Sequence, residues 1–147
     1  MAHIRQQVRD AFEAELTGIT GVITLSKSRV RDFSQSECPA INITTSSELI
    51  EWLDEGRLST FRTMTVDVTI FAYGRDGKDA TDKVLDDISS QVESRILSAV
   101  GSPWDEMVEH RPSAMQFSVG EVAELSLFAL QTRFTVRFSA IDAETIG

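Results

Sequence analysis

The stretch Arg62-Thr63-Met64-Thr65-Val66-Asp67-Val68-Thr69-Ile70-Phe71-Ala72-Tyr73 decides the fold. Met64, Val66, Val68 and Ile70 fall on one face and Thr63, Thr65, Asp67 and Thr69 on the other. That two-residue period belongs to a strand with one buried and one wetter face. Parallel strands covered on both sides read as near-continuous apolar runs, so the alternation predicts a mainly antiparallel sheet. Helices must then cover its apolar side, and the flanking sequence supplies them. Downstream, residues 74–78 read as a turn and Asp79 or Thr81 as a helix cap. Val84, Leu85, Ile88, Val92, Ile96 and Ala99 form the apolar stripe of that helix, which Gly101-Ser102-Pro103 stops. Upstream, Ile4, Val8, Ala11, Phe12 and Leu16 recur at helical spacing, opposite Arg5, Arg9, Asp10 and Glu13, and Gly18 provides the left-handed stop.

Between these elements the signals are shorter. Residues 22–25 and 29–33 are β-prone, and a strand begins after Pro39, where Ile41 and Ile43 alternate with polar neighbours. Residues 46–59 admit either a short helical turn or an excursion of the sheet. Residues 104–112 read as an irregular connection, followed by a brief strand at Met115, Phe117 and Val119 that Gly120 interrupts. Phe128, Leu130, Phe134, Val136 and Phe138 alternate through a long closing strand over 128–140, and the tail after Ile141 is expected to be loose. The sum is one α+β domain over residues 1–147. It has two layers, a mainly antiparallel sheet of four to five strands and two amphipathic helices on one face, with the other face free to meet partners.

Composition narrows the function classes. Fourteen Lys and Arg against 23 Asp and Glu give a net charge of −9, which repels phosphates and argues against a general nucleic-acid binder. Cys38 is the single cysteine, so no intrachain disulfide forms and a reducing compartment fits. The N-terminus enters an amphipathic pattern directly, and no window reaches the ~20 apolar residues of a membrane span, so a soluble chain is expected.

Catalytic constellations are not evident. An activated Cys38 would need an imidazole from His3 or His110, the two histidines, and a small buried residue at a strand entry is the plainer reading. Asp76, Lys78, Asp79 and Asp82 make a poor metal cage and more naturally favour a helix N-terminus. Asp86-Asp87 and Asp105-Glu106 read as solvated faces, and Gly74-x-x-Gly77 does not follow a phosphate-loop pattern. No catalytic, cofactor or metal site is therefore expected. Two sets of residues stand out instead as contact candidates. Arg133 and Arg137 share the hydrated face of the closing strand with Thr135 and Ser139, where they read as an ordinary wet face or as a subunit interface. Trp52, Leu53 and Leu58 flank Asp54, Glu55 and Arg57, and read as core or as an exposed contact loop.

Residues 4–11, opening a helix, Ser28-Arg29-Val30 and Cys38-Pro39-Ala40-Ile41-Asn42-Ile43 together resemble the start of the tail terminator and tail-completion proteins of long-tailed bacteriophages, the lambda tail terminator among them. The resemblance continues through a long strand like 65–71, a helix like 80–99 and two strands like 115–119 and 128–138, so it covers nearly the whole chain. It rests on packing patterns, which head-completion and neck proteins share in size and style. It implies a structural protein without covalent chemistry or cofactor. Such a protein forms a homo-oligomeric, hexameric ring at the head-proximal end of the tail in the virion, assembled in the host cytoplasm. The ring stops growth of the polymer of major tail tube protein, presents a surface to the head-completion or connector protein, and lets DNA pass its lumen without specific binding. Trp52, Leu53 and Arg57 are assigned to a tail-tube contact loop and Arg133 and Arg137 to the ring interface. Alternatives are a head-completion or neck protein, a small cytoplasmic enzyme and a ligand-binding module.

Overall fold

In the computed structural model, which describes residues 3–29, 33–53, 59–74, 78–122 and 125–146, the deciding stretch is the heart of β3 (Thr60–Gly74). This is the central strand of a five-stranded sheet. The others are β1 (Thr24–Lys27), β2 (Ala40–Trp52), β4 (Met107–Val122) and β5 (Leu125–Ala140), in the order β1-β2-β3-β5-β4. Three neighbouring pairs are antiparallel, and β1 runs parallel to β2. A parallel pair needs a crossover, and the described part of it before β2, from Phe33 on, packs on the face of the sheet that carries Phe71 and Tyr73. Phe33 packs on Phe71, Tyr73 donates from its hydroxyl to the Phe33 carbonyl at 2.7 Å, and Asn42 exchanges hydrogen bonds with the Arg29 backbone at 2.9 and 3.1 Å.

Helices α1 (Ile4–Leu16) and α2 (Lys78–Leu97) lie together on the other side. All five apolar positions of the α1 stripe are buried, with Phe12 against Trp104 and Phe134 at ring separations of 5.2 and 5.6 Å. Burial of side chains of this size contributes roughly 1.5–3 kcal/mol each, which outweighs any weakness in the helix's own propensity. The helix ends where the sequence places its stop: Gly18 has a φ of 80°. Arg95 of α2 donates to the last carbonyls of α1, those of Glu15 and Thr17, at 3.1 and 2.7 Å. The α2 stripe buries Leu85, Ile88, Val92 and Ile96, but Val84 is exposed. Because α2 starts at Lys78, Asp79 and Thr81 lie inside it and neither is its cap.

Several expectations fail at irregularities of the ladder. Residues 46–52 are an excursion of the sheet: β2 slips by one residue between Thr45 and Ser47 and then pairs with β3 as far as Trp52↔Thr60. The supposed irregular connection at 104–112 is a short 3-10 turn, Trp104–Glu106, after which β4 begins at Met107. Slips between Met107 and Glu109 and between Pro112 and Ala114 scramble its alternation. Gly120 does not end β4, because an edge strand accommodates glycine with no neighbour pressing on it. Of the β-prone residues 29–33, Arg29 and Phe33 lie outside any strand and the three between them fall outside the described residues. The tail is not loose: the Ile4 amide donates to the Ala143 carbonyl at 2.8 Å, and Ile146 pairs with Ala140, so the chain's last segment closes over the start of α1.

Candidate functional site

The residues that could carry chemistry are engaged structurally. Cys38 is buried beside Phe33 and Ala40, and burial, reinforced by the Glu37 charge, pushes its thiol up to about 11. That is the opposite of an activated nucleophile. His3 accepts the Arg5 amide hydrogen at Nδ1, 3.0 Å away, and so caps α1, while burial and then the Arg5 charge lower its pKa. His110 lies in β4, its Nδ1 donating to the Ile96 carbonyl at 2.9 Å and its ring edge-on to Trp104. The cleft beside Cys38 is lined by Gln35, Pro39, Tyr73, Thr81 and Val84 and holds neither imidazole. Asp86, Asp87, Asp105 and Glu106 are exposed, and among the described residues no three His, Cys, Asp or Glu side chains gather as metal ligands. Nor is any described helix long and apolar enough to cross a membrane.

Surfaces are more informative. Beyond Ile43, β2 has, among the described residues, no strand on its outer side, because β1 ends at Lys27; β3 stays paired with β5 as far as Thr60↔Ala140, so the distal half of β2 is an open edge of the sheet. This edge is fastened by ions. Glu48, 7% exposed at its side chain, accepts hydrogen bonds from Arg62 and, at 3.1 Å, from Arg5 of α1. Arg62 in turn donates from Nε to the Thr60 hydroxyl at 3.1 Å. The register puts Glu48, Ile50 and Trp52 on the helix side of the sheet and Leu49 and Glu51 on the other. Past the clamp the helix layer gives no cover: Trp52 is 67% and Leu53 56% exposed, with Leu49 and Ile50 exposed behind them. Trp52 and Leu53 are thus surface groups and not core. Arg57, the third residue assigned to this contact, lies outside the described residues, as do Asp54, Glu55 and Leu58.

Arg133 and Arg137 emerge on the opposite side of the sheet, away from the helices. Each is held by a carboxylate on a neighbouring strand. Arg133 sits directly across from Asp67 in the ladder and bonds it at 3.0 Å, Asp67 being 4% exposed at its side chain. Arg137 lies 3.6 Å from Glu109, which also accepts from Arg111, and its guanidinium stacks over Phe61 at 5.0 Å. Both arginines still present about half of their side chains to solvent. Around them the face is polar, with Thr63, Thr65, Thr69, Gln131 and Thr135. The structure therefore gathers the two arginines on one face and sends Trp52 to the other. Sequence reasoning missed Glu48, Arg62, Asp67 and Glu109, whose roles depend on cross-strand register.

A third surface lies along β4. Met115, Phe117 and Val119 pair with Thr132, Leu130 and Phe128, so they face the helix side, yet all three are about half exposed, because α2 stops short of this edge strand. Between α2 and β4 runs an open groove of about 360 Å³ lined by Asp82, Leu85, Asp86, Phe117 and Leu130.

No family model matches the chain, and no curated protein matches it. Among solved structures it is similar to a chain from the virion of a native gene transfer agent (GTA) particle, at 14% identity over 92% of each chain and a TM-score of 0.43. A likeness of that degree carries no argument about what the chain does.

Proposed function

We propose that this chain is a structural subunit of a phage-type virion that assembles into a ring, caps the tail tube, ends its growth and offers the surface to which the head attaches. The observation that carries the reading is the clamped edge of β2 that ends in the exposed Trp52 and Leu53. Exposed large apolar groups gathered at one place mark interaction sites, and tryptophan is among the commonest anchors of such contacts. The Glu48 clamp ties this edge to β3 and α1, so the anchor is presented in a defined position. The sequence resemblance to tail terminators supplies the partner, the end of the tube.

Ring closure asks for a contact in which one surface of a subunit meets a different surface of the next. The Arg133/Arg137 face suits one half of it, because cations fixed on a polar sheet set register with acidic groups of a neighbour such as Glu51. Growth ends because the lower face of the ring complements the tube and the upper face does not, so a further tube ring gains nothing by adding. With a net charge of −9 the lumen repels phosphates and DNA slides through.

Electron microscopy of particles made without this gene tests the reading. Overlong, headless tubes are expected, and Trp52→Ala/Leu53→Ala should reproduce them while the purified subunit stays folded. Normal-length free tails beside leaking heads would move the protein to the head side as a completion or neck protein, and normal particles would end the proposal.

A further inference from the structure

We infer that the groove between α2 and β4 is a docking site for an extended partner segment that alternates apolar and basic residues, laid along the free edge of β4. This goes beyond the capping role and does not depend on it. Four observations converge. First, β4 pairs with β5 on one side and, among the described residues, with no strand on the other, so a 16-residue ladder stands open at the sheet's edge. Such an edge is a template for strand addition. Second, Met115, Phe117 and Val119 recur at every second residue on the side facing α2, each about half exposed. They form one apolar row at the spacing at which an added strand presents its own side chains.

Third, the opposite wall of the groove is acidic. Asp82 and Asp86 stand one helical turn apart on α2, over Leu85, Phe117 and Leu130. Fourth, one oxygen of Asp82, Oδ1, is buried and has no hydrogen-bond partner. A carboxylate oxygen withdrawn from water without a donor is costly, and a guanidinium or ammonium entering the groove would relieve that cost. An added strand points every second side chain toward α2, so Arg or Lys at those positions lays its aliphatic stem on the apolar row and carries its charge to the acidic wall, while the apolar residues between them face the other side of the sheet.

The charge pattern also decides against the open β2 edge of a second copy as occupant. That edge carries Glu51, followed in sequence by Asp54 and Glu55, and would bring carboxylates to a wall of carboxylates. Like charges in partial burial repel, so a partner of opposite sign is favoured.

The test uses the intact chain and a fluorescently labelled nine-residue peptide of alternating valine and arginine, with alternating valine and glutamate as control. Anisotropy should show saturable binding of the Val/Arg peptide at least tenfold tighter than that of the control. Asp82→Asn and Asp86→Asn should each weaken it several-fold, and Phe117→Ser should weaken it tenfold or more. Asp87→Asn removes the same charge from an exposed position of α2 outside the groove and should leave binding unchanged, which separates the groove from the general acidity of the chain. Circular dichroism of each variant establishes that it is folded. Equal binding of the two peptides, or an equal effect of Asp82→Asn and Asp87→Asn, would overturn the assignment. So would self-association that Phe117→Ser abolishes and the peptide does not compete with, since the groove would then belong to a second copy. Tail-length phenotypes are read separately, so the capping role and the groove can fail independently.

Discussion

Replacing Glu48 with alanine probes the clamp that holds the open edge of β2. The wild-type carboxylate is 7% exposed and lies between Arg62, 10% exposed, and Arg5, 49% exposed. Its removal leaves the Arg62 guanidinium buried with the Thr60 hydroxyl at 3.1 Å and no counter-charge. Breaking a buried ion pair from one side costs about 3–5 kcal/mol, chiefly through the charge left behind. The half-exposed Arg5 marks a path for water to that charge, so the lower end, about 3 kcal/mol, is expected. In a chain of 147 residues each kcal/mol shifts Tm by roughly 2–4 °C, giving a fall of roughly 6–12 °C. Arg5→Ala, which removes the exposed partner, should cost under about 1 kcal/mol. Glu48→Ala/Arg62→Met removes both buried charges and should recover most of the loss. Urea unfolding followed by circular dichroism measures all four proteins. A loss below about 1 kcal/mol for Glu48→Ala, or a double variant no more stable than the single one, would refute a buried clamp.

Single side chains give three further outcomes. Thr132 is fully buried on the helix side of β5 with no partner for its hydroxyl, so Thr132→Val should raise the unfolding free energy by about 1 kcal/mol; a destabilised variant in the same urea assay would point to a hydrogen bond at that hydroxyl. Glu37, held by Arg29 and then by the Ser34 amide and hydroxyl, has its pKa lowered from 4.5 to about 2. A carboxylate depressed by folding stabilises above its unfolded value and loses that contribution as pH falls through the folded one. Stability should therefore decline between pH 4.5 and 2, and less steeply in Glu37→Gln; parallel urea midpoints for the two proteins across that window would contradict this. Cys38, buried and pushed up to about 11, should react with iodoacetamide at pH 8 far more slowly in the folded chain than in urea, by mass spectrometry; equal rates would place the thiol at the surface.

The sequence is legible wherever a segment keeps one unbroken period. The alternation through Met64, Val66, Val68 and Ile70 and the α1 stripe from Ile4 to Leu16 give the covered face of the sheet and one of its covers, and every one of those residues is buried. Legibility fails where the period slips. In β2 the apolar residues are odd-numbered at Ile41 and Ile43 and even-numbered at Ile50 and Trp52, so Leu49, Ile50, Trp52 and Leu53 imitate a helical turn. In β4 two slips and exposure on both faces remove the contrast between a wet and a dry side, and 104–112 passes for a loop. The contact residues divide in the same way. That Arg133 and Arg137 share a face follows from period two alone, whereas their carboxylates, Asp67 and Glu109, belong to strands 66 and 28 positions away in the chain and become neighbours only through the ladder. Likewise nothing local marks Glu48 as the partner of Arg62, or β1 as parallel to β2.

The slip at Ser46 has a consequence for how this edge of the sheet changes over time. It sets the sidedness of the distal half of β2: had the ladder run on without the extra residue, Glu48 would face away from Arg62, and Ile50 and Trp52 would turn over with it. Everything distal inherits that setting. Lengthening, shortening or exchanging the chain beyond Trp52 leaves the setting and the ionic hinge pin untouched, whereas adding or losing a single residue between Ser47 and Trp52 inverts the whole projection. Descendants of this chain can therefore vary the sequence after Trp52 while keeping the same side chains on each face, and insertions and deletions should accumulate past Trp52 and spare residues 47–52.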